Sequence, residues 1–331
     1  MPSQTRKLIT VLVALPLAIT FILWAFAWPV ARTAPHDLPL GVAGPAEATA
    51  PVVAGLDARG GAFDVHTYPD ADAATAAIEN RDVYGALVLG PRGAELLTAS
   101  AASPSVAQLL EQVAAQGLPE GTELTVTDVV PTPDGDPRGA VFGVSVLPMA
   151  MAGIALGALV TLLRLRGRYA IAALLGTAAL VGVAGALIGH SWLGAMAGNW
   201  GTVAASLGLM ALAGGATVAG LAALLGPRGI GAGAVLLMML GNPWSGATSA
   251  PEMLPSPVGT LGQLLPTGSG ATLLRDVAFF DGAGAAYPLA VLTAWAVAGL
   301  ATVAVVHHRR RLRGGPVADA PPASPAPAMA R

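Results

Sequence analysis

Cysteine is absent from the 331 residues. That excludes a disulfide scaffold, thiol catalysis, Fe–S clusters and Cys-ligated zinc. Lysine is nearly absent: Lys7 stands alone against 16 arginines. A P-loop needs G-x-x-x-x-G-K-[ST], with its Lys on the phosphates, and Lys7 has no such context, so the chain carries no Walker A site. Charge is scarce as well. Charged residues are 11% of the chain, about half the usual share, against 54% hydrophobic residues and a mean hydropathy of +0.66. A soluble enzyme of this size could not cover its surface with so few polar groups. The 42 Gly follow no triplet period, which excludes collagen.

Catalytic motifs are missing too. The five histidines (His36, His66, His190, His307, His308) form neither H-x-x-x-H nor H-E-x-x-H. His307 and His308 run into an Arg cluster and read as interfacial anchors. His190, beside Trp192, suits an aromatic belt better than a metal. Ser269 lacks the G-x-S-x-G setting of a nucleophile elbow. The run GIGAGA at 229–234 lacks the third Gly of a dinucleotide fingerprint and follows no strand. Like Gly153 and Gly157, it reads as small residues that let helices approach closely. No catalytic, cofactor or metal site is expected, and no nucleic-acid partner.

What is present is long apolar runs. A hydrocarbon core about 30 Å thick needs roughly 20 apolar residues in a helix. Six stretches qualify or nearly so: 8–30, 141–163, 169–189, 200–225, 229–244 and 287–306. The fifth is the shortest. The first is too long for a signal-peptide core and reads as a retained anchor. Basic residues set the orientation. Arg6 and Lys7, then Arg164, Arg166 and Arg168, then Arg228, then Arg309, Arg310, Arg311 and Arg313 all fall on one side if six spans cross. That side is the cytoplasm, with both termini inside. Of 19 acids, 18 lie on the other side. No acid lies within a span, so no intramembrane proton relay is visible.

Residues 31–140 then form an extracytoplasmic domain with 15 acids and five arginines. Segments 38–44, 63–67, 83–89 and 122–130 read as strands. Segment 70–80 reads as a helix with an acidic start, and 104–116 as another, with Ser103 as N-cap and Gly117 as its stop. This is a small α/β domain. The expected architecture is therefore a membrane all-α six-helix bundle (N-in, C-in) with a small α/β domain inserted between helices 1 and 2. Its parts are 1–30, 31–140, 141–313 and a Pro- and Ala-rich disordered tail, 314–331.

The most distinctive segment is 241–284. It holds five Pro, several Gly, and then Arg275, Asp276 and Asp281. It is too broken for a span and too apolar for an ordinary loop. Residues 258–265 read as a short re-entrant helix and 271–280 as an interfacial one. Broken backbone at membrane depth must be buried in protein or line a cavity.

The layout resembles the ABC-2 type exporter permeases, and more closely their YhgE/Pip-like and DUF3533-like bacterial relatives. The matching residues are Asn242-Pro243-Trp244-Ser245-Gly246, Leu254-Pro255, Leu265-Pro266 and Arg275, with Leu38-Pro39-Leu40-Gly41-Val42 opening the extracytoplasmic domain. The resemblance implies half of a transporter of the bacterial plasma membrane. Two such subunits would pair as a homo- or heterodimer amid membrane lipid, and a separate ABC ATPase would supply energy. It also implies a cytoplasmic coupling loop, here Arg164, Arg166 and Arg168. The substrate expected is hydrophobic or amphiphilic: a drug, a lipid or an envelope precursor. The polar and aromatic positions to examine along a transport route are Asn242, Trp244, Glu252, Arg275 and Asp276. The rival expectation is a non-transporting envelope protein whose acidic domain binds a partner or wall component. A membrane enzyme is the weakest reading.

Overall fold

The computed structural model describes residues 3–90, 93–118 and 123–313. The tail expected at 314–331 lies outside them. The chain begins with α1 (Ser3–Ala31) and then enters the α/β domain: β1 (Leu38–Ala43), α2 (Ala46–Asp57), β2 (Phe63–Tyr68), α3 (Ala71–Glu79), β3 (Gly85–Gly90), β4 (Gly93–Thr98), α4 (Pro104–Gly117) and β5 (Leu124–Asp128). The helical part follows as α5 (Ala140–Leu162), α6 (Arg168–Ala186), α7 (Trp200–Leu225), α8 (Arg228–Ala234), α9 (Val258–Gln263), α10 (Pro266–Phe279) and α11 (Ala286–Arg313). A π-helical turn at Leu187–Trp192 extends α6, and another at Val235–Gly241 extends α8.

Among the described residues, five helices are long and apolar enough to cross a membrane: Gln4–Ala31, Ala140–Leu162, Arg168–Trp192, Trp200–Leu225 and Ala286–Arg309. They make the chain a multi-pass membrane protein. The fifth expected stretch differs. It forms a shorter apolar helix, Arg228–Gly241, about 21 Å long at 1.5 Å per residue.

Helix α7 is the axis of the bundle: 72% of its apolar window is buried inside the protein, and it packs against α5, α6, α8, α10 and α11. Small residues make this contact possible. A Cβ on Gly153 of α5 would stand 3.1 Å from the Gly214 Cα of α7, and one on Gly157 would stand 2.6 Å from the Gly215 carbonyl oxygen. The packing role expected of these two glycines is what the helices use. By contrast α1 has only 6% of its window buried within the chain and touches the rest mainly at the π turn after α8.

The sheet has the order β2-β1-β3-β4-β5. β1 pairs parallel with β2 and β3, β3 pairs antiparallel with β4, and β4 pairs parallel with β5. The parallel crossovers through α2 and α3 run in opposite directions along the sheet, and the right-handed rule for such connections puts these helices on opposite faces. The expected helix caps are in place. Asp70 accepts from the Ala73 N–H at 2.9 Å, and Ser103 accepts from the Val106 N–H at 3.3 Å. Two elements go beyond the sequence reading, α2 and β4. Pro51 and Gly55 blur the helical pattern of α2, and GAELLT is too short to alternate clearly.

Candidate functional site: a polar latch between the domain and the helices

The core of the α/β domain does not end with the domain. Leu38, Leu40, Val42, Ile78 and Leu96 pack in one cluster with Ala250, Met253 and Phe280, which come from the broken segment between the last helices. Main-chain bonds reinforce the junction. Ala34 donates to the Met253 carbonyl at 3.1 Å and His36 to the Glu252 carbonyl at 2.8 Å. The domain is therefore docked on the segment 250–280 by apolar burial and by backbone pairing together.

Charged side chains are buried in the same junction. Arg81 follows α3 in a left-handed conformation, φ +67. A non-glycine residue held there costs roughly 1–3 kcal/mol, which the surroundings must offset. The conformation aims the guanidinium across the junction. Its Nε lies 3.1 Å from Asp276 Oδ1 of α10, and its Cζ sits 4.8 Å from the Phe280 ring centroid and 5.6 Å from that of Tyr84. Asp276 is 1% exposed. The Arg81 contact is an ion pair by distance, yet neither carboxylate oxygen accepts an aligned hydrogen bond. Gly284, at φ +78, leaves the space beside it: a Cβ there would lie 3.4 Å from Asp276 Oδ2 and 3.6 Å from the Arg81 Cβ.

Tyr84, just before β3, adds a second link. Its hydroxyl donates to Glu252 Oε2 at 2.8 Å. Burial first, and then the charge of Glu252, push the Tyr84 phenol well above its usual range, so it stays a donor. Arg275, 3% exposed, donates from Nη2 to the Ala247 carbonyl at 2.9 Å and stacks 5.0 Å from the Phe142 ring of α5. Burial, then the like charge of Arg81, bring its guanidinium down to about 10, so it remains cationic at neutral pH. Burial likewise pushes the Asp276 carboxyl up to about 6, against the opposing pull of Arg81 and Arg275. Desolvation outweighs both cations, as it does in many buried ion pairs.

Of the positions singled out in the sequence, the structure gathers Glu252, Arg275 and Asp276 at this junction. Asn242 and Trp244 do other work. The Asn242 carbonyl accepts from the Ser245 hydroxyl at 2.7 Å, closing the turn after α8, and the Trp244 main chain packs against Gly262 of α9. Arg81 and Tyr84 were not singled out. The available signal was small: Arg81 is one of five arginines in an acidic domain. His190 faces the Gly198 carbonyl at 3.1 Å, where its Nε2 must carry the proton to donate.

Elsewhere in the bundle, Arg164 and Arg166 line a recess of about 370 Å3 with Val160, Ala222, Val303 and His307. The α5–α6 loop is a tight turn, with positive φ at Arg164 and Gly167. Arg168 opens α6 and stacks on Tyr169 at 5.0 Å. Among the described residues, no three His, Asp or Glu side chains gather as a metal site. Comparison with protein families, curated proteins and solved structures finds no match.

Proposed function

We propose that the chain is an ABC-2-like export permease subunit of the plasma membrane, moving a hydrophobic or amphiphilic substrate with energy from a separate ATPase. The observation that carries this reading is α10. It starts at Pro266 after a break, packs against α5, α7 and α11, and buries Thr267, Ser269, Arg275 and Asp276. Interrupted helices with buried polar residues inside an apolar bundle are how many transporters build a route.

Two further features agree with it. Gly229 abuts the Leu221 main chain near the end of α7, whereas Ala250 lies in the core of the α/β domain. The run 229–250 thus passes along the bundle with only part of it helical. Counted as a crossing, it completes six spans with both termini inside and the α/β domain outside. At the opposite end, the recess beside Arg164 and Arg166 offers an ATPase subunit a cationic edge and an apolar floor. On this reading two subunits pair around the route.

The test is reconstitution. A nucleotide-binding subunit should copurify with the chain, and a lipophilic substrate should stimulate its ATP hydrolysis in liposomes. A chain that purifies alone from its native membrane and moves no substrate would instead be the envelope protein that binds through its acidic domain.

A further inference from the structure

Beside the latch, between the α/β domain and the helices, lies a cavity of about 220 Å3. That is several times the ~30 Å3 share of one water. Arg275 forms part of its wall and is its most buried charge, at 3% exposure. A guanidinium carries five N–H donors. Arg275 gives one bond, to the Ala247 carbonyl, and its face to Phe142. No carboxylate stands within 4.0 Å of it among the described residues. Asp276 and Glu252 attract it only from beyond contact distance, so this buried cation faces the cavity with spare donors and no direct carboxylate partner.

The other walls carry charge of the same sign. Arg138 lines the cavity and is exposed at its rim. The first turn of α4, at Pro104 and Ser105, and the start of α5, at Gly139 and Phe142, also face it. Both are helices of more than three turns with a positive partial charge at the N-terminus, but the N–H groups at the wall are largely taken: Pro104 has none, and those of Gly139 and Phe142 bond to Asp136. Among the described residues, Asp136 is the single acid on the wall. It is already engaged, because its Oδ2 accepts from the Phe142 N–H at 2.9 Å and so caps α5. Two arginines therefore converge on one cavity, beside the first turns of α4 and α5.

We propose that this cavity binds an oxyanion, a phosphate or carboxylate group, with Arg275 as its buried anchor and Arg138 as its rim. Planar guanidinium forks match such groups with two parallel hydrogen bonds. Ser105 and Gln108, exposed on the same wall, supply neutral donors. The site requires neither a transport cycle nor an ATPase, so it stands apart from the permease reading.

The test uses the full chain in phosphatidylcholine nanodiscs. Inorganic phosphate, acetate and dihexanoyl phosphatidic acid are titrated at constant ionic strength against chloride, with binding read by calorimetry and by the rise in unfolding temperature. Wild type should bind at least one of the three saturably. Arg138→Gln should weaken that binding at least tenfold, and Arg275→Gln should abolish it. Arg275→Gln also removes a packed side chain, so Ser105→Trp, which fills the cavity from its exposed rim, gives an independent block. It should abolish binding while leaving the unfolding temperature in chloride unchanged. Phosphatidic acid binding tenfold more tightly than phosphate assigns a lipid headgroup, and equal affinity assigns a free anion. No binding of any probe, or binding that survives both Arg275→Gln and Ser105→Trp, overturns the site.

Discussion

Arg81 Nε stands 3.1 Å from Asp276 Oδ1, and this contact ties the turn after α3 to α10 through a junction with a large apolar core. Removing one partner of a buried pair leaves a lone charge and costs about 3–5 kcal/mol. Arg81→Ala should therefore destabilise the junction by an amount of that order. Arg81→Ala with Asp276→Ala together should cost less than the sum of the two, since neither charge is then stranded. Hydrogen exchange of β3 and α10 in the purified protein reads both effects. Additive losses would show that the two residues are not coupled.

The Asp276 carboxyl, raised to about 6 by burial, gives the junction a pH dependence. Its folded value lies above the unfolded one, so the folded protein holds the proton more tightly. The contribution is then fully present below about pH 4 and is lost as pH rises through 6. Unfolding temperatures measured from pH 4 to 7 should fall more steeply in wild type than in Asp276→Asn. Equal slopes would mean that Asp276 titrates as a solvated acid.

Gly284 should accept a side chain only at a cost in backbone strain. Its φ of +78 strains any L-residue, while a Cβ would meet Asp276 and Arg81 only at ordinary van der Waals distance. Gly284→Ala should cost about 1 kcal/mol or more. Gly282→Ala, at φ +89 with open space around it, carries the strain without the contacts. Thermal unfolding should show similar losses for the two, because the backbone strain is shared; a much larger loss at Gly284 would mean that the latch tolerates no added atom.

On the permease reading, Arg275→Ala should lower substrate efflux while membrane insertion and expression stay normal. Efflux assays in cells, with expression measured alongside, check this. Unchanged efflux at unchanged expression would remove Arg275 from the route.

The long helices were legible because a span needs only length and hydropathy. The stretch at 200–225 coincides with α7, and 141–163 differs from α5 by one residue at each end. Capped elements were legible for a similar reason: Asp70 and Ser103 mark their helices locally. The stretch at 229–244 read longer than its 14 helical residues, because hydropathy does not register the break at Gly241 and Pro243. Half of the junction was visible too. Glu252, Arg275 and Asp276 stand out as charges in an apolar segment. The other half was not, because Arg81 and Tyr84 look like ordinary polar residues of an acidic domain. Tyr84 and Glu252 are 168 residues apart, and no local pattern links them.

That separation has a consequence for how the protein is made. The α/β domain leaves the ribosome long before the segment that completes its core. At ordinary rates of synthesis the interval is roughly 10–30 s, far longer than a small domain takes to fold. Arg81 must therefore wait in water, beside an exposed apolar patch awaiting Met253 and Phe280. The newborn domain has an unfinished surface, and only a chain elongated through α10 can close it. Nascent chains cut short before residue 250 would keep that surface open for chaperones and proteases to recognise.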